Sequence, residues 1–126
     1  ARYRVDNTSP SFFDFYYSTT QVGYITTNGT DIFYANTSDY RLKEDLKDFN
    51  GISLLEQIQV YDFKWKESEN RMYGVVAHEL QEIVPQAVVG NKDEDKLQAV
   101  DYSKLVPILI KSIQELEARV KELENK

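Results

Sequence analysis

The stretch Val106-Pro107-Ile108-Leu109-Ile110-Lys111-Ser112-Ile113-Gln114-Glu115-Leu116-Glu117-Ala118-Arg119-Val120-Lys121-Glu122-Leu123-Glu124 carries a regular heptad. Val106, Ile113 and Val120 fall on one core position, and Leu109, Leu116 and Leu123 on the other. That spacing holds one apolar stripe along a single helix face, which predicts a coiled-coil helix over about 103–126. Arg119 and Glu124 occupy flanking positions that meet between parallel chains, so a parallel bundle is favoured. β-branched residues at the first core position with Leu at the second are the dimer-favouring choice in isolated coiled coils, so the seam alone reads as dimer or trimer. Leu105 and Ile110 widen the apolar band in the first heptad, which suits a larger bundle or docking on the chain's own globular part. Packing of the whole helix on its own domain is the competing reading.

Working back from this helix, Asp101 or Ser103 is placed to cap it, and Pro107 lies near enough to its start to cost little. Gln98 to Tyr102 predicts a short strand, and Gly90 to Lys96 a polar loop. His78 to Val84 predicts a short amphipathic helix with Leu80, Ile83 and Val84 inward, stopped by Pro85. Tyr61, Phe63 and Trp65 alternate with Asp62 and Lys64, and a polar stretch leads to Met72–Val76, so a β-hairpin is expected with the aromatic side chains in the core. Ile52, Leu54, Leu55 and Ile58 give an apolar face to a short helix after Gly51.

Composition changes near residue 37. Residues 1–37 hold most of the Tyr and Phe residues, many Thr, Ser and Asn, and no lysine, whereas 38–126 hold all the lysines and most of the acids. Strands are expected at Phe12 to Tyr17, Gln21 to Thr27 and, after an Asn28-Gly29 turn, Asp31 to Tyr34. With so few aliphatic residues this part cannot bury a core alone, so its strands are expected to pack against other copies of the chain. The fold class read here is α+β: a β-rich stalk segment over 1–37, then a small mixed globular domain with a long C-terminal coiled-coil helix over 38–126.

The formal net charge of -6 argues against a phosphate backbone or an anionic membrane as partner. The absence of cysteine excludes disulfides, thiolate metal sites and a thiol nucleophile, and any Ser-His-Asp arrangement would rest on His78 alone. His78 is read as structural, and no metal or cofactor is expected. No apolar run approaches the length of a membrane span, and the chain reads as a piece of a longer protein. Sequon-like triplets at Asn7, Asn28 and Asn36 are ascribed to chance in an Asn- and Thr-rich segment.

At the composition boundary stands Ser38-Asp39-Tyr40-Arg41-Leu42-Lys43, a serine with a lysine five residues on. A serine hydroxyl is a weak nucleophile near neutrality, and a lysine relieves it of a proton only as the neutral amine. Spacing by itself is weak evidence for such a dyad, because charge runs are ordinarily solvated.

The string nevertheless resembles the Ser-Asp-x-Arg-x-Lys opening of the intramolecular chaperone auto-processing domain. That family ends phage tailspikes and tail fibres, including endosialidases, and occurs in eukaryotic myelin regulatory factor. Tyr61-Asp62-Phe63-Lys64-Trp65, Gly74 to Pro85 and Val100-Asp101-Tyr102-Ser103-Lys104-Leu105 resemble its later motifs in the same order. The resemblance covers 38–126. It implies a homotrimer that folds the N-terminal passenger fibre of its own chain and then cuts between Thr37 and Ser38. Ser38 would be the nucleophile, Lys43 the general base, and Asp39 and Arg41 possible supports, with backbone N–H groups ahead of Arg41 as oxyanion donors. It further implies a place in the phage tail during assembly, the chaperone being made in the host cytoplasm and released. Two other readings stand beside it: a permanent trimerisation tip that never cleaves, and a carbohydrate-binding fibre tip that uses the exposed Tyr and Phe residues of 1–37.

Overall fold

The computed structural model describes residues 2–3 and 11–126, with side chains from Phe13 onward. The chain forms two compact units, Ala1–Lys47 and Asp48–Lys126, which part C-terminal to the composition boundary at residue 37.

The first unit is a four-stranded antiparallel sheet in chain order: β1 (Arg2–Tyr3), β2 (Ser11–Tyr17), β3 (Thr20–Thr27) and β4 (Ile32–Asn36). The β3–β4 connection, Asn28 to Asp31, is longer than a two-residue turn. The Asn28 side chain accepts from the Thr30 and Asp31 amides, and Gly29 takes the left-handed φ of 94° that its lack of a Cβ permits. Ile32 and Tyr34 on one face of β4 and Phe33 on the other are all exposed, since no second layer of this unit covers them among the described residues. The triplet at Asn7 lies outside the described residues.

The second unit holds the buried apolar side chains found among the described residues: Ile52, Leu80, Val84, Ala87 and Ile108. Helix α1 (Gly51–Leu55) follows the expected apolar face. The hairpin β5 (Tyr61–Lys64) with β6 (Arg71–Gly74) pairs Tyr61 with Gly74 and Phe63 with Met72. Two of the aromatic residues are not in the core as their alternation suggested: Tyr61, within β5, is 38% exposed, and Trp65, past the strand's end at Lys64 where the period-2 rule no longer fixes the ring's side, is 63% exposed. It meets Phe63 edge-on with ring centroids 5.1 Å apart.

Helix α2 (Ala77–Gln81) turns Leu80 inward but ends three residues short of the expected Val84, with Glu82 as its C-cap, and Pro85 opens a separate 3₁₀ turn over Pro85–Ala87. Two short strands, β7 (Val88–Val89) and β8 (Ala99–Val100), close the polar loop between them. Gln81 and Gln98 both donate to the Gly90 carbonyl, and Gln98 also donates to Gln81 Oε1, tying that loop to α2. The Asp101 side chain does cap the approach to the last helix, but what it caps is a 3₁₀ turn, Tyr102–Leu105; α3 proper runs Val106–Glu124 with Pro107 in its first turn.

Helix α3 has two faces. Leu105, Ile108, Lys111, Ser112 and Glu115 recur at helical spacing and turn towards the unit's interior, with Ser112 1% and Ile108 5% exposed. The heptad residues lie on the rest of the surface, and from Leu116 onward every residue is exposed.

Candidate functional site

The sequence-predicted site is built at the end of β4. The Thr37 N–H continues the ladder by donating to the Val22 carbonyl at 3.1 Å, and the Thr37 hydroxyl donates to the Gln21 carbonyl at 2.8 Å. After Ser38, Asp39 stands in extended conformation (φ -72°, ψ 135°) and caps a 3₁₀ turn over Tyr40–Leu42. Its Oδ1 accepts from the Arg41 amide at 2.9 Å, while the Arg41 Nε and Nη2 grip both carboxylate oxygens, each at 2.9 Å. The turn closes with the Leu42 amide on the Asp39 carbonyl and the Lys43 amide on the Tyr40 carbonyl, both 3.1 Å.

This capped turn sends the chain back on itself. Lys43 Nζ thereby meets Ser38 Oγ at 2.5 Å. Five residues of separation bring no contact in an extended chain; the Asp39 cap is what converts the spacing into proximity. The Arg41 side chain's hydrogen bond, with a smaller contribution from its amide, holds the Asp39 carboxyl below its ordinary pKa. The same contact raises the Arg41 guanidinium. Asp39 and Arg41 thus lock the turn, and the Arg41 charge is already engaged by a carboxylate. Ser38 and Lys43 are both exposed in the single chain.

The predicted seam is likewise placed by the structure. Val106, Leu109, Ile113, Leu116, Val120 and Leu123 are between 43% and 65% exposed. The chain's own contacts to α3 use the other face: the Glu115 carboxylate accepts from the Gly51 and Ile52 amides at 3.1 and 2.9 Å, capping α1, and Lys111 pairs with Asp48 at 2.5 Å. Docking of α3 on its own unit therefore occurs, but it leaves the heptad stripe uncovered.

His78 is half-buried in the second unit, in a polar cleft with Tyr61 and Glu79. The Tyr61 hydroxyl donates to Glu79 Oε1 at 2.8 Å, and that bond raises the phenol's pKa. Among the described residues, no group of three or more His, Asp or Glu side chains could hold a metal ion, and no helix is long and apolar enough to cross a membrane.

Comparison with known families bears on the same segment. Residues 38–89 match the model for the chaperone of endosialidase, with Ser38 as the first matched residue. These residues belong to the chaperone-of-endosialidase family. The chaperone-of-endosialidase match thus starts where the capped turn starts and runs through α1, the hairpin, α2 and β7. Its model is classed among the peptidases. The chain is also similar to the long tail fiber protein Gp37 of Enterobacteria phage K3, 33% identical over 97 residues, covering 71% of this chain and 8% of that protein. It has the same identity over the same length to the long tail fiber protein Gp37 of Enterobacteria phage T2, covering 7% of it. The chain spans less than a tenth of the length of these relatives.

Two features escaped the sequence reading. Thr37 enters the sequence reading as the residue before the expected cut, though a Thr hydroxyl at a strand's end is also a ready donor to the neighbouring strand. Glu115 carries no signal in the sequence, since no local pattern links it to Gly51.

Proposed function

We propose that this chain is the folding chaperone at the end of a phage tail fibre, that it assembles as a homotrimer, and that it cuts itself off between Thr37 and Ser38. The hydrogen bond between Lys43 Nζ and Ser38 Oγ carries the proposal, because it joins a nucleophile to a base at the first residue of the chaperone-of-endosialidase segment. The similarity to long tail fiber proteins supports the passenger's nature and a place in the virion tail.

The chemistry follows from the two groups. With Lys43 as the neutral amine, the hydroxyl donates to it; Lys43 takes the proton as Ser38 Oγ attacks the Thr37 carbonyl carbon. Backbone N–H groups stabilise the resulting oxyanion. Collapse breaks the Thr37–Ser38 C–N bond, the proton passes to the departing Ser38 nitrogen, and an ester joins the Thr37 carbonyl to Ser38 Oγ. Water then hydrolyses the ester, leaving a Thr37 carboxylate and restoring the Ser38 hydroxyl. Each chain holds one such bond, so the event is single-turnover whether Ser38 attacks within its own chain or across to a neighbouring subunit, and it needs no cofactor.

Exposure of Ser38 and Lys43 in one chain explains why assembly would matter. Neighbouring subunits that covered the pair would exclude water from it. The same exposure favours the second reading, a permanent trimerisation tip, if no neighbour covers the pair. The two are separated by Lys43→Ala and Lys43→Arg. Self-cleavage predicts that Ala abolishes the cut and that Arg, permanently charged near neutrality, fails almost as completely. Full cleavage in the Arg variant would remove Lys43 as the base.

A further inference from the structure

The residue before the proposed nucleophile is held more firmly than the nucleophile itself. Thr37 is half-buried where Ser38 is exposed. Its N–H and its hydroxyl bind two consecutive carbonyls of β3, those of Val22 at 3.1 Å and Gln21 at 2.8 Å. Gln21 is fixed in turn, its side-chain amide donating to Asp14 Oδ1 on β2 at 2.9 Å. Beside it, β3 and β4 approach so closely that a Cβ on Gly23 would stand 2.8 Å from the Ala35 carbonyl oxygen. Of the common residues, only Thr and Ser carry a hydroxyl short enough to make the second bond from this position.

We propose that Thr37 is a positioning residue for the cut: its hydroxyl clamps the acyl half of the scissile bond to β3, so that Ser38 Oγ swings against a carbonyl already fixed in place. The inference rests on the reading that Ser38 cleaves the Thr37–Ser38 bond. Fixing one reactant before attack removes rotational freedom that the transition state would otherwise have to surrender. Once the C–N bond is broken and the ester formed, the Ser38 amine is still tethered to the ester through its own Cα and Cβ, so the two halves part only when water hydrolyses an ester that the clamp holds on β3.

The test uses the full chain made by pulse-labelled cell-free synthesis, with the uncut fraction followed on gels and assembly followed by sedimentation. Thr37→Val keeps the β-branched shape and the strand N–H but removes the hydroxyl; it should slow cleavage about fivefold to tenfold, the worth of one hydrogen bond. Thr37→Ser restores the donor and should recover most of that loss, with both variants assembling as the wild type does. Cleavage of Thr37→Val at the wild-type rate overturns the inference, as does a Ser variant as slow as the Val variant, which would assign the effect to side-chain shape. A Val variant that slows only because it no longer assembles also overturns it. A wild-type chain that is never cut between Thr37 and Ser38 overturns the underlying reading instead.

Discussion

Gly51 lies so close to Ser112 that a Cβ added to it would stand 2.9 Å from both the Ser112 amide nitrogen and its hydroxyl, and 3.0 Å from the Ile108 carbonyl oxygen. This approach seats α1 against α3 and lets Glu115 reach the Gly51 and Ile52 amides. Because two of those neighbours are backbone atoms, Gly51→Ala cannot be absorbed by a rotamer change. Overpacking of this kind costs about 1–3 kcal/mol. Glu115→Ala leaves two amides without their acceptor and should cost about 1–2 kcal/mol, less where water reaches them. Chemical denaturation of each variant checks both values; unchanged midpoints would mean that α3 is not held by this contact.

Acid should weaken both units through identified carboxylates. Asp39 is lowered by the Arg41 side chain, Asp48 chiefly by its hydrogen bond from Lys111, and Asp101 chiefly by its bond from the Ser103 hydroxyl. A carboxyl whose pKa is depressed by folding stabilises the fold above its unfolded value, and that contribution is lost as pH falls through the folded one. Stability from these groups should be level above about pH 5 and decline below about pH 4. Asp48→Asn and Asp101→Asn should each lower stability at neutral pH and flatten the acid decline, as read from denaturation midpoints against pH. An acid limb identical to the wild type would show that these pairs contribute nothing.

Much of this architecture is legible in the sequence where the pattern is local. The Gly51 helix, the 61–74 hairpin and the inward turn of Leu80 and Val84 follow from periodicity and Pro85. The heptad is legible too, but the second face of α3 is not: Ile108, Ser112 and Glu115 gain their meaning from Gly51, more than fifty residues away. Alternation groups Tyr61, Phe63 and Trp65 on one side but does not bury them: Tyr61 is exposed within β5 and Trp65 lies past its end. The start of α3 was placed early because the Asp101 cap signal is the same for a 3₁₀ turn as for an α-helix. At the site, Ser38 and Lys43 were visible as types and spacing, whereas their contact depends on the Asp39–Arg41 lock, and the Thr37 clamp depends on strand register.

Assembly and chemistry should be coupled. Leu116 is 49% exposed, on the stripe that α3 does not use within its own unit, so Leu116→Asp should leave that unit folded. In a bundle the same substitution gathers carboxylates in a closed seam, at several kcal/mol for each unpaired charge. The variant is expected to sediment as a monomer and to remain uncut, with Ser38 and Lys43 unchanged. A monomer that cleaved at the wild-type rate would show that one chain completes the site by itself.

The central claim is that Ser38 makes the cut and opens the released fragment. N-terminal sequencing of the products of the full chain, alongside Ser38→Ala, tests it most directly. The account predicts one new N-terminus, Ser38-Asp39-Tyr40, absent from the Ala variant, which stays whole at 14.7 kDa. A fragment beginning at any other residue, or an Ala variant cut as the wild type is, would contradict it.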